Sequence, residues 1–274
     1  MHVAVVGHVE WIQFARVEHV PAPGEIVTAQ DTWQEAAGGG AVAAVQLAKL
    51  NGGCTFYTLL GDDELGRRSK EQLSKQGVQV EAEFVAKPSR RGFTFIDAVG
   101  ERTITVLGEK LHPSTSHHLP WLELGRADGL YFTAGDVSAL EAARRARVLV
   151  ATSRELSTLR RAGVEIDALV GSGEDMSEQY QPGDLEPPPK LVVSTAGPLG
   201  GWTQPGGPFR AAPLPGTVSD AYGAGDSFAA GLTFALGKGL EREQALELAS
   251  RCGAAVMTGQ GAYEGQLSAD DLDD

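Results

Sequence analysis

Short, continuously apolar runs recur along this chain, and between most of them the apolar residues switch to helical spacing. The runs are "HVAVVG" (2–7), "TFYTLL" (55–60), "GLYFTA" (129–134), "RVLVAT" (147–152), "DALVGS" (167–172) and "KLVVST" (190–195). Between them, "AVAAVQLAKL" (41–50), "DELGRRSKEQLSKQG" (63–77) and the stretches near 137–146 and 154–162 read as helices, with stop signals at Asn51-Gly52 and Gly77. A strand that is apolar on both faces must be covered on both faces. The alternation therefore predicts an α/β fold with a central, mainly parallel sheet and helices on either side. A chain of 274 residues is long enough to bury a sizeable core in such an arrangement.

Two regions break the rhythm. Residues 11–36 mix alternating strand patterns with a Pro-Ala-Pro-Gly turn, and "GFTFIDAVGERTITVL" (92–107) reads as an antiparallel hairpin turning near Gly100. Both are expected in a small β-sheet that projects from the main one and could act as a lid; an ordinary decorative hairpin is the plainer reading. The Pro-rich segment 181–190 reads as a loop, and "GPLGGWTQPGGPF" (197–209) as a turn-rich connection.

Charge narrows the partners. With 36 acidic against 23 basic residues the net charge is −13, so neither nucleic acid nor an anionic membrane surface is an expected partner. The most basic stretch, "RRARVLVATSRELSTLRR" (144–161), brackets an apolar strand pattern, and its arginines read as solvated helix ends. Cys54 and Cys252 lie in apolar surroundings outside any metal-ligand spacing, as small core residues of a reducing compartment would. The start lacks the basic region of a signal peptide and no apolar run has membrane-spanning length, so a cytoplasmic location is expected.

The stretch with the most chemistry in it is "VSDAYGAGDSF" (218–228). Phe228, Leu232, Ala235 and Leu236 follow at helical spacing, with Gly237 and Gly239 as candidate stops, so the GAG turn opens a helix. Free N–H groups and the dipole at a helix start attract anions, and glycines let a phosphate reach the backbone. Asp226 stands there either as a cap for the helix or because the chemistry needs a carboxylate beside the anion.

In order and spacing these features resemble the PfkB, or ribokinase-like, family of carbohydrate kinases. "DAYGAGDSFAAG" (220–231) is similar to the family signature DTxGAGDxFxAG. "AAGGGAVAAVQLAKLNG" (36–52) resembles its earlier glycine signature, "LLGDDELGRRSKEQLSKQGV" (59–78) the segment after it, "STAGPLGGW" (194–202) the TxGxxG nucleotide loop, and "GQGAY" (259–263) the closing segment. The resemblance runs from about Val3 to Tyr263. It implies a single ribokinase-like domain over 1–274 with lid segments near 11–36 and 92–107, and a reaction in which ATP phosphorylates a hydroxyl of a sugar-like or nucleoside-like molecule. Asp226 would be the general base, with the N–H groups of Gly223, Ala224 and Gly225 as an anion hole. Thr195, Gly197, Gly200 and Gly253 would line the nucleotide site. Gly38 and Gly39 would let the acceptor approach the backbone. Mg²⁺ is the implied metal. Asp220 would support a monovalent-cation site for K⁺, or brace its turn as an Asx motif. A homodimer through the lid is implied as well.

Several positions depart from the family pattern. Glu10 and Ile12 stand where an Asn and an Asp usually hold substrate hydroxyls, and Val42 where another Asn is usual. Fewer hydroxyl clamps would disfavour a free pentose, with His8, Glu10 and Trp11 as candidate replacements. The Asn-x-x-Glu segment that organises Mg²⁺ and phosphates should fall within "LVGSGEDMSE" (169–178), as Ser172 and Asp175 or with Glu174 in the acidic role, reaching Mg²⁺ through water. Ala221 and Tyr222 replace two threonines, and His117 and His118 read as solvated loop residues. These departures leave a second expectation open: a catalytically silent member that binds a metabolite and regulates.

Overall fold

The computed structural model describes residues 1–272. Nine strands form the main sheet in the order β13-β12-β11-β10-β9-β8-β1-β4-β5. They are β1 (Val3–Val6), β4 (Cys54–Gly61), β5 (Val78–Val85), β8 (Gly129–Phe132), β9 (Val148–Thr152), β10 (Ala168–Ser172), β11 (Leu191–Thr195), β12 (Gly201–Gln204) and β13 (Gly207–Phe209). All neighbours from β11 to β5 pair in parallel, as the apolar runs predict. The last two strands do not fit the sequence reading. Segment 197–209, expected as a turn-rich connection, carries the antiparallel hairpin β12–β13 on the edge of the sheet. Strand β5 likewise has no counterpart among the apolar runs, because Gln79, Glu81 and Glu83 interrupt "VQVEAEFV" at every second position.

Helices cover both faces. Val3 and Val5 of β1 point into one core with α1 (Gly39–Asn51), α5 (Ala224–Lys238) and α6 (Arg242–Val256). Leu73 of α2 (Glu64–Lys75) joins them. Ala4 and Val6 point into the other core with α3 (Val137–Ala143) and α4 (Leu156–Ala162). The period-2 alternation of β1 thus feeds two cores from one strand. Crossovers run from β1 towards β4 on one side and from β8 towards β9 on the other, so the winding direction reverses between β1 and β8. In open α/β sheets a ligand crevice forms at such a point, beyond the carboxyl ends of the strands.

A separate four-stranded sheet, ordered β3-β2-β6-β7, is built from β2 (Glu10–Arg16), β3 (Asp31–Ala37), β6 (Arg91–Ile96) and β7 (Arg102–Leu107). β2 is antiparallel to β3 and parallel to β6, while β6 and β7 form the expected hairpin with Gly100 in the turn. This sheet is tied to the segment before the GAG turn: Arg16 donates to Ser219 O, Arg102 to Ala221 O, and Ala221 N–H to Gly100 O. Cys54 and Cys252 are buried free thiols, as expected of core residues. Among the described residues no helix is long and apolar enough to cross a membrane.

Candidate active site

Gly223 opens α5 in the left-handed conformation (φ 81°), which only a glycine adopts without strain. The first intrahelical bond runs from Ser227 N–H to Gly223 O, which leaves the N–H groups of Ala224, Gly225 and Asp226 at the open end of the helix. Among the described residues nothing lies within 4 Å of a β-carbon placed on Gly225, so this end is open to a ligand-sized group. No side chain caps the helix, and among the described residues the Asp226 carboxylate accepts no hydrogen bond. The capping reading of Asp226 therefore has no support in the geometry.

The carboxylate points at the start of α1, where a β-carbon on Gly39 would stand 2.8 Å from its Oδ1. Burial pushes the Asp226 pKa up to about 6. Arg154 and Arg102 work against that rise, and Glu178 and Glu10 add to it. The side chain nonetheless keeps part of its surface accessible. A carboxyl group at this value is ionised at neutral pH and more basic than an ordinary aspartate, which suits a proton acceptor.

Beyond Gly39 lies a polar cluster. A β-carbon on Gly38 (φ 86°) would press on Glu10 Cγ at 3.0 Å and His8 Cδ2 at 3.3 Å. The Gly38 N–H donates to the Tyr222 hydroxyl at 3.2 Å. Glu10, buried, pairs with Arg90 Nε at 3.0 Å and His8 Nε2 at 3.4 Å. Although burial alone would raise it, these partners hold the Glu10 carboxyl below its usual range. Burial pushes the His8 imidazole down towards the neutral form, and its Nδ1 has no partner among the described residues.

Ile12 and Val42 do not share this cleft. Both are fully buried: Ile12 Cδ1 fills the space left by Gly92, its neighbour in register on β6, and Val42 Cγ1 packs beneath Gly223. These two side chains serve the core and the GAG turn. Trp11 is equally committed, since its Nε1 donates to Gln34 and Arg68 covers its ring at 4.5 Å.

Thr195 ends β11, and Gly197 (φ 49°) and Gly200 (φ 89°) shape the short turn into β12. Gly253 lies on α6 beside the GAG turn: a β-carbon there would meet Ala224 O at 3.2 Å and Phe228 Cβ at 3.3 Å, so it lets α6 pack against the first turn of α5. Asp220 is fully buried, with Oδ1 accepting from Tyr222 N–H and Oδ2 from Gly261 N–H, which is the bracing Asx arrangement. Asp175 caps a short turn by accepting from Ser177. The more deeply placed acid is Glu178, which accepts from Ser172 N–H and pairs with Arg154. Neither Glu178 nor Arg154 stands out in sequence. Position 178 lies beyond the expected three-residue spacing from Ser172, and Arg154 sits among arginines that look like solvated helix ends.

These groups share one edge of the molecule. His8 follows β1, Arg154 follows β9, Ser172 ends β10 and Thr195 ends β11, all at the carboxyl ends of parallel strands beside the starts of α1 and α5. A different hollow, lined by His2, Tyr57, Glu81 and Glu123, opens at the amino ends of the strands, away from this edge.

Comparison with known proteins agrees with the geometry. The profile described as pfkB family carbohydrate kinase matches residues 1–162 and 140–269. An ATP-dependent ribose-1-phosphate kinase of Halopiger xanaduensis is 25% identical over 96% of this chain and 94% of its own length. A ribokinase of Dictyostelium discoideum is 29% identical over 39% of this chain, and the match spans only 34% of that relative. Among solved structures, a ribokinase of Thermotoga maritima superposes with a TM-score of 0.80 at 22% identity, covering 100% of this chain and 98% of its own, a likeness of fold.

Proposed function

The chain belongs to the pfkB family of carbohydrate kinases, and from that premise we propose that it transfers the γ-phosphoryl group of ATP to a hydroxyl of a sugar or nucleoside, with Asp226 as the general base. The observation that carries this reading is the uncapped Asp226 carboxylate, with its raised pKa of about 6, next to the open N–H end of α5. The acceptor hydroxyl would lie between Asp226 and Gly39. Its proton passes to Asp226 while the N–H groups of the GAG turn meet the phosphoryl oxygens. Gly38, Glu10, His8 and Arg90 would hold the rest of the acceptor. The segment Thr195–Gly200 would hold the nucleotide phosphates, and Gly253 would act on it only through α5.

Asp175 and Glu178 offer oxygen donors, which suit a hydrated Mg²⁺ bound together with the phosphates; when bound, the ion would neutralise phosphate charge. Asp220 would contribute to a K⁺ site indirectly, by fixing the loop at Gly261. The small sheet would serve as the lid over the acceptor. Its outer strand β7, where Ile104, Val106 and Leu107 are partly exposed, is where a second copy would dock.

The test is ADP release from MgATP with ribose, fructose, ribose-1-phosphate, adenosine and inosine, for the parent and for Asp226→Asn. Turnover of at least one acceptor by the parent, lost by orders of magnitude in the variant, is the expected result. Binding of an acceptor without any turnover would replace the kinase by a silent, metabolite-binding protein.

A further inference from the structure

Arg154 stands two residues past the end of β9, whose carboxyl end adjoins that of β10. Its guanidinium reaches two carboxylates on the segment after β10: Glu178, and Asp175 at 3.5 Å. The two partners differ in kind. Glu178 is buried and fixed by Ser172 N–H, whereas Asp175 lies on an exposed turn, and the Arg154 side chain itself is 58% exposed. One pair is therefore an anchor and the other can open.

The surroundings place this cation between the two halves of the proposed reaction. Towards β11, Ser153, Gly171, Gly173, Glu178 and Ser194 line a hollow, and Ser194 directly precedes Thr195, where the TxGxxG turn begins. The Ser153 hydroxyl in its wall is buried without a partner among the described residues. On the other side α5 packs across β8 and β9, and Arg154 exerts the strongest charge effect on Asp226. An isolated surface ion pair needs no such position.

Resting on the kinase reading above, we propose that Arg154 is a catalytic residue that leaves Asp175, stays anchored on Glu178, and donates N–H bonds to the phosphoryl group in transfer. In that step the acceptor oxygen forms a bond to the γ-phosphorus and its proton passes to Asp226. The bond from the γ-phosphorus to the bridging oxygen breaks, and its electron pair stays on ADP. Negative charge spreads over the three equatorial oxygens, which a planar guanidinium can meet with two parallel N–H groups and an ammonium cannot. The GAG turn donates from the start of α5, and Arg154 from the adjoining end of β9.

The experiment compares the parent, Arg154→Gln and Arg154→Lys in ADP release with an acceptor that the parent turns over, alongside calorimetric binding of ATP without acceptor. Arg154→Gln is expected to lower kcat by about 10²–10³-fold, with KM and ATP affinity changed by less than about threefold. Arg154→Lys, which keeps the anchor but not the fork, should fall between. Loss of the positive charge should also move the acid limb of the kcat/KM profile upward by roughly half to one pH unit, which a residue that only anchors Glu178 far from the reaction would not do. Turnover by Arg154→Gln within about threefold of the parent, or a profile unmoved in both variants, overturns the proposal and leaves the kinase reading standing. Failure of the parent to turn over any acceptor overturns both. Should Arg154→Gln fail to fold, Arg154→Lys at parental kcat decides against it.

Discussion

Replacing Asp226 by Asn should make the protein more stable at neutral pH while disabling it, and the size of the gain follows from the burial of the carboxylate. The folded-state pKa of about 6 lies above the ordinary value of 3.8. Below about pH 4 the group is protonated in both folded and unfolded chains and contributes nothing. Between those values the fold keeps a proton that the unfolded chain releases, so stability falls as pH rises. Above pH 6 both states are ionised and the fold bears the full cost of the confined carboxylate. At 1.36 kcal/mol per pKa unit this cost is at most about 3 kcal/mol, a ceiling because the side chain retains some exposure to solvent. Asn has no such charge. Thermal unfolding from pH 4 to pH 8 should give superimposable curves for parent and variant at the acid end. At pH 8 the variant should melt several degrees higher, as about 2–4 °C per kcal/mol is usual for chains somewhat shorter than this one. Turnover at pH 8 should fall by about 10²–10⁴-fold. A variant no more stable than the parent at pH 8 would show the carboxylate to be well solvated, and the argument for its basicity would go with it.

Gly39→Ala would place a methyl group 2.8 Å from Asp226 Oδ1, so the carboxylate must shift and kcat should fall by about 10²-fold; ATP affinity measured by calorimetry should stay unchanged. Glu35, pushed up to about 7 mainly by burial and further by Asp220, accepts from Ala262 N–H and ties β3 to the 259–263 loop. Its ionisation therefore weakens the fold as pH rises from about 4.5 to 7, and Glu35→Gln, which keeps an acceptor for that N–H, should melt higher than the parent at pH 8 and equally at pH 4. Gly253→Val would crowd Ala224 O and Phe228, so thermal unfolding should occur at lower temperature and turnover should drop with the displaced start of α5.

The parallel sheet was legible in the sequence because strands buried on both faces leave unbroken apolar runs. The β12–β13 hairpin was not, because strands of four and three residues rich in glycine and proline leave no period to read. Asp226 was legible for a local reason, since the turn, the glycines and the helix that position it are contiguous. The side of the site next to the small sheet was only half legible. Pattern matching carries a residue to a place along the chain, but whether its side chain turns to the cleft or to the core depends on what faces it. Ile12 sinks inward because its neighbour across the ladder is Gly92, which leaves it room, and Val42 because Gly223 leaves room beneath the turn.

Arg154 and Glu178 carry no such local signal. An arginine 24 residues from its carboxylate looks solvated until the parallel pairing of β9 and β10 brings their carboxyl ends together. Local signals thus locate a carboxylate that rides on one helix, whereas the charges that tune it come from different strands. Asp226 shows both kinds of constraint at once. Its place is set by residues 223–226, but its pKa is set by burial and by Arg154, Arg102, Glu178 and Glu10. Those four reach it from the end of β9, from the small sheet and from the segment after β10. A substitution at any of them should alter the basicity of Asp226 without touching the GAG turn, so the basicity of this carboxylate is a property of the assembled sheet ends and not of the motif that contains it.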